Sequence, residues 1–94
     1  MPISFVLPNA LQAFSRGSGR TLVVDGQCAT VADAFAVLGA QWPGVVDRVM
    51  TEQGEVRPHV NIFVGQENIR FADGLRTPVS DGDEILIVAA VSGG

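Results

Sequence analysis

The sequence predicts an α+β domain of two layers, a mixed sheet of four to five strands packed on one main helix. Apolar and polar residues alternate in the first strand, a single capped stretch has helical apolar spacing, and the final regular element is apolar on both faces, as a central strand is.

Residues 3–7 set Ile3, Phe5 and Leu7 against Ser4 and Val6, the period of a strand with an apolar odd face. Pro8-Asn9 ends it, and Ala10 to Phe14 is placed to wrap the sheet edge. Arg16-Gly17-Ser18-Gly19 reads as a turn. Arg20 to Asp25 is the second strand, which makes an N-terminal hairpin with a long loop. Thr30 begins the helix, with Asp33 in position to complete a capping box. Val31, Ala34, Phe35, Leu38 and Trp42 then share one face, Pro43-Gly44 stops the helix, and Val45 to Met50 adds one short turn. Glu52 to Pro58 is a polar loop. His59 to Val64 is the third strand, Gly65 to Asn68 a turn, and Ile69-Arg70-Phe71 a short partner strand. Pro78 makes residues 75–79 irregular, and Ser80-Asp81-Gly82-Asp83 turns the chain into the last strand, Glu84 to Ala90. The reading gives a domain at residues 1–90 and a flexible Gly-Gly tail at residues 91–94.

Ninety-four residues suffice for one domain, and a hydrophobic fraction of 47% argues for a folded one. No apolar run is long enough to span a bilayer, and the proline-broken N-terminus does not read as a signal peptide. One cysteine, Cys28, excludes a disulfide framework and a thiolate metal site, so a cytoplasmic setting is expected. Ten carboxylates outnumber six arginines, and no basic stripe suggests nucleic-acid binding. Lysine is absent, so a second copy of this chain offers no side-chain amine to an activated acyl group.

Side chains suggest no catalytic constellation. His59 is the only histidine, and Cys28 reads as a small buried hydrophobe whose only possible base would be that histidine. Asp81, Asp83 and Glu84 read as a solvated turn, so no metal site is expected. The Gly17-Ser18-Gly19 stretch lacks the lysine of a phosphate loop.

The C-terminus is the remaining candidate. An apolar strand runs into Val91-Ser92-Gly93-Gly94, and the four residues past Ala90 reach at most ~14 Å when extended. Without a Cβ, Gly93 and Gly94 can thread a narrow channel and leave the terminal acyl carbon unobstructed.

Four segments resemble the ThiS/MoaD family of ubiquitin-like sulfur carriers: Val60-Asn61-Ile62-Phe63-Val64, Asn68-Ile69-Arg70-Phe71, Thr77 through Ile85 with its Asp81-Gly82-Asp83 turn, and Ala90-Val91-Ser92-Gly93-Gly94. Within the family, Arg70-Phe71-Ala72-Asp73-Gly74-Leu75 and the length are most similar to the CysO type. Ala89-Ala90 departs from the two prolines often found there in molybdopterin-synthase small subunits. The resemblance implies a ubiquitin-like β-grasp fold and a protein cosubstrate, not an enzyme. It implies that an E1-like enzyme uses ATP to adenylate Gly94, that a sulfur donor converts the adenylate to a thiocarboxylate, and that Gly93 gives access. No permanently bound cofactor is implied. For CysO-type carriers the sulfur passes to an activated serine on a cysteine synthase-like partner, and a JAMM-type metalloprotease then releases cysteine. The alternatives are a molybdopterin synthase small subunit, a ubiquitin-like protein modifier, and a plain β-grasp binding module with an incidental Gly-Gly.

Strand parity places Ile3, Phe5, Leu7, Val60, Ile62, Val64, Ile85 and Ile87 toward the helix. Val6, Phe63, Leu86 and Val88 then line the opposite face, a candidate partner-binding patch.

Overall fold

The computed structural model describes residues 2–89. Five strands form one mixed sheet: β1 (Ile3–Val6), β2 (Thr21–Val24), β3 (Val60–Val64), β4 (Glu67–Asn68) and β5 (Glu84–Ala89), in the order β2-β1-β5-β3-β4. The hairpin of β1 and β2 is antiparallel, with Phe5 opposite Leu22. Strand β5 is central, parallel to β1 with Phe5 opposite Ile85, and antiparallel to β3 with Ile62 opposite Ile87.

Helix α1 (Val31–Gln41) starts at the expected capping box. The Asp33 amide donates to Thr30 Oγ1 at 3.2 Å, and Asp33 Oδ2 accepts from the Thr30 amide at 3.2 Å. Val31, Ala34, Phe35 and Leu38 are buried, and the Phe35 ring lies 4.9 Å from that of Phe5. Trp42 is half-buried and donates its indole N–H to the Ser15 carbonyl at 3.0 Å, tying the helix end to the loop after β1.

Helix α1 ends at Gln41, ahead of Pro43-Gly44 as expected. The short turn expected over Val45 to Met50 is a second helix, α2 (Pro43–Val49), which Pro43 itself opens, because proline is well tolerated at a first helical position, where no amide partner is lost. The segment Asn9–Phe14 forms 3-10 turns, with Leu11 buried.

The region after β3 also departs from expectation. The partner strand is Glu67–Asn68, read above as part of a turn, and Ile69–Phe71 is a 3-10 turn instead of a strand. Asn68 explains the change, because its side-chain oxygen accepts from the Arg70 amide at 2.9 Å and caps the turn. A further 3-10 turn covers Gly74–Arg76. The approach to β5 is a tight turn, with the Asp83 amide on the Ser80 carbonyl at 3.0 Å and Gly82 at φ +85°, a conformation that suits glycine.

The core lies between the sheet and the helices. Ile3, Phe5, Leu7, Val60, Ile62, Ile85 and Ile87 are buried, as the parity requires, while Val64 at the end of β3 is half-buried against them. The helices cover this face alone.

Candidate functional site: the end of β5 and the outer sheet face

Ala90, Val91, Ser92, Gly93 and Gly94, the expected reactive terminus, lie outside the described residues. What the structure describes is the strand that leads to them. Strand β5 pairs with β1 over Glu84–Leu86 and with β3 over Ile85–Ala89, and it ends at Ala89, opposite Val60 at the start of β3. His59 and Pro58 immediately precede that start. Arg70 reaches back to it, donating through Nη2 to the Val60 carbonyl at 3.1 Å and to the Pro58 carbonyl at 3.4 Å.

The four residues assigned to the outer face are brought together. Val6 is opposite Leu86, Leu86 is opposite Phe63, and the three form one row across β1, β5 and β3. Val88 is one step nearer the end of β5, opposite Asn61. Val6, Phe63 and Leu86 are half-buried, and Val88 is 39% exposed. The row is polar at both ends, with Thr21 beside Val6 and Asn68 beside Phe63. Asn68 also donates through Nδ2 to Asn61 Oδ1 at 3.1 Å, which holds the polar border of the patch in place.

Two exposed apolar residues were not read from the sequence. Val23 on β2 is 48% exposed and shares the outer face. Phe71 is 84% exposed and borders, with Phe63, Val64 and Asn68, a shallow depression at the edge of the sheet. The signal that could have found Phe71 is Asn68, a residue depleted in strands and favoured as a cap, which argues for a turn at Ile69–Phe71.

The side-chain candidates for catalysis are kept apart. His59 is exposed at the β3 start, the end of the sheet where β5 finishes. Cys28 lies before α1 at the opposite end and is half-buried, so it is less enclosed than the sequence suggested. Burial and the nearby Asp33 and Asp81 carboxylates push its thiol pKa up, which disfavours the thiolate. Asp83 Oδ2 accepts from the Ser80 amide at 2.8 Å, so that carboxylate serves the turn. Among the described residues no cluster of His, Cys, Asp and Glu is arranged to hold a metal. No described helix is long and apolar enough to cross a membrane.

A five-stranded mixed sheet with its helices on one face and a central C-terminal strand defines a ubiquitin-like β-grasp protein. The chain belongs to the ThiS family, whose model matches residues 7–94. It is similar to the sulfur carrier protein CysO of Mycobacterium tuberculosis, 31% identical over 96 residues that span all of both chains. It is also similar to small archaeal modifier protein 3 of Haloferax volcanii, 38% identical over 70% of this chain and 71% of that one. Among solved structures, the Amycolatopsis orientalis BexX/CysO complex contains a chain that matches with a TM-score of 0.85 and 28% identity, covering 98% of this chain and 99% of that one. SAMP1 of Haloferax volcanii matches over the whole of both chains, with a TM-score of 0.83 and 29% identity. The family consists of small sulfur carriers and ubiquitin-like proteins. They serve enzymes as protein cosubstrates and are not enzymes.

Proposed function

We propose that this chain is a sulfur carrier whose working group is the carboxylate of Gly94. The carboxylate attacks the α-phosphorus of ATP on an E1-like enzyme, pyrophosphate leaves, and an acyl-adenylate forms. Hydrosulfide then attacks the acyl carbon and expels AMP to leave the thiocarboxylate directly; a persulfide donor would first give an acyl disulfide, which a second thiol cleaves, forming a disulfide with the donor sulfur as the thiocarboxylate leaves. The thiocarboxylate sulfur is the nucleophile for the acceptor, an activated serine if the route is cysteine synthesis. Gly93 keeps the approach to the acyl carbon open, and Val91 and Ser92 carry it away from the folded body.

The observation that supports this reading most directly is the position of β5. A central strand, held by β1 up to Leu86 and by β3 up to Ala89, precedes Val91-Ser92-Gly93-Gly94 in the chain, so a partner that holds the body has a fixed origin for the tail. The full-length similarity to CysO supports the sulfur chemistry and the cysteine route. Val6, Phe63, Leu86 and Val88 supply an apolar surface next to that origin, suited to the activating enzyme and to the sulfur-accepting enzyme in turn. Intact mass spectrometry of the protein from its own cells tests the proposal. A species heavier by the difference between sulfur and oxygen is expected, and it must vanish when Gly93 and Gly94 are deleted. A population that stays a plain carboxylate while sulfur is being transferred would refute it.

A second reading, protein modification, is favoured by the similarity to the small archaeal modifier proteins. Its mark would be larger species in which Gly94 is joined to lysines of other proteins. The lysine-free sequence means that chains of this protein linked through its own side-chain amines would not form.

A further inference from the structure

The charges are sorted along the strands. At the end of the sheet where β5 finishes stand five of the six arginines. The Arg20 carbonyl accepts from the Leu7 amide just past β1, which runs parallel to β5. The Arg57 carbonyl accepts from the Val60 amide at the start of β3, and Arg70 reaches the carbonyls of Pro58 and Val60. In the helix layer at the same end, Arg16 donates to the Gln41 carbonyl at the close of α1, and Arg48 sits 4.2 Å from the centroid of the Phe14 ring. Four of these arginines have side-chain contacts to carbonyls or a ring, and among the described residues none of these contacts is to a carboxylate. Asp47, Glu52 and Glu55 share this end, which leaves a formal surplus of two positive side-chain charges, against which the single carboxylate of the tail is set.

The other end is acidic. Asp25 follows β2, Asp33 lies in the first turn of α1, Asp81 and Asp83 form the turn before β5, Glu84 pairs with Ser4, and Glu67 opens β4. The sixth arginine, Arg76, stands on this side too, directly before Thr77, whose carbonyl accepts from the Val31 amide at the start of α1, and with Asp73 it adds no net charge to the six carboxylates. The two ends are separated by the length of β5, about 20 Å at ~3.3 Å per residue. That exceeds the ~8 Å screening length at physiological ionic strength, so the ends do not cancel each other at a partner's surface.

We infer that the end of the domain bearing the tail is a positively charged docking pole, fitted to a partner protein whose tail-accepting cleft is rimmed by carboxylates. This rests on the sulfur-carrier reading and names the chemistry of the surface that the carrier meets. The carrier carries a net charge of −4, so an acidic partner would repel a uniformly charged version of it. Sorting the charge converts that repulsion into orientation, because the acidic pole turns away and the tail pole turns in. A protein rim fits better than a nucleic-acid backbone, since Asp47, Glu52 and Glu55 interrupt the arginines and leave no continuous basic stripe.

The test is the association rate of the full chain with the E1-like adenylating enzyme of the same organism, measured across a salt series. The double variant Arg20→Glu/Arg48→Glu is expected to associate about tenfold more slowly at low ionic strength, with the gap closing as salt is raised. Asp25→Lys/Glu67→Lys, at the far pole, is expected to change the rate by less than about twofold. Thermal melts establish that both variants fold. Equal rates for wild type and the arginine variant, or a larger effect at the far pole, would overturn the docking pole. Capture of single-stranded RNA by the wild type, lost in the arginine variant, would overturn the choice of a protein partner. A chain that docks with the expected salt dependence and is never adenylated would instead sink the sulfur-carrier reading. No association at all would remove both.

Discussion

Strand β5 carries four similar side chains in succession, and its two faces treat them differently. Ile85 and Ile87 point toward α1 and are no more than 1% exposed, whereas Leu86 is half-buried and Val88 is 39% exposed. Composition does not distinguish the faces. The helix layer does, because the chain supplies helices for one side of the sheet only. The uncovered row of Val6, Leu86 and Phe63 is therefore more than a by-product of a greasy strand: it lies on the central strands, bordered by Thr21 and by the paired Asn61 and Asn68. An apolar centre within a polar border is the arrangement of a protein–protein contact.

Substitutions on the two faces should separate stability from partner recognition. On the inner face, Ile87→Ala is expected to cost about 2–5 kcal/mol of folding stability, read from urea denaturation. A loss below about 1 kcal/mol would mean that the two faces are energetically alike. On the outer face, Phe63→Asp and Val88→Asp are each expected to slow adenylation by at least about tenfold, equivalent to ~1.4 kcal/mol, with the unfolding midpoint little changed. Unchanged adenylation kinetics in both variants would remove the patch from the interaction.

Thr30→Ala addresses the layer that makes the faces differ. Loss of the Oγ1 acceptor at the α1 start is expected to cost about 1 kcal/mol in denaturation, without the adenylation defect of the outer-face variants. The smallest effect is expected at Cys28. Its thiol pKa is raised in the folded chain, so the folded state holds the proton more tightly than the unfolded state does. That contribution is complete below the unfolded thiol pKa and is lost as pH rises through the raised folded value. Stability should decline slightly over this alkaline range in wild type and not in Cys28→Ala, and a pH profile unaltered by the substitution would exclude the linkage.

The regions differ in how much of them is legible in the sequence. Ile3, Phe5 and Leu7, the Thr30–Asp33 capping box and the two-sided apolarity of residues 85–88 are local patterns, and each corresponds to an element of the fold. Residues 65–71 were misread because a short apolar group, Ile69-Arg70-Phe71, has the composition of a strand while the Asn68 side chain bonds the backbone into a turn. Pro43 both follows one helix and begins the next, and only the first of these roles is legible in the sequence. The outer-face patch followed from parity, but the exposure of Phe71 did not, since it depends on that turn.

The sequence by itself determined the strand parity, the helix start, the central position of the last strand and the diglycine end, because each is written in residues close together along the chain. Tertiary structure alone decided that Val6, Leu86 and Phe63 align in one row across three strands and that the arginines gather around the end of β5. Those outcomes depend on parallel and antiparallel pairings between segments up to eighty residues apart. Pairing sets which residues share an end of the sheet, and neither charge nor hydrophobicity of a single segment carries that information.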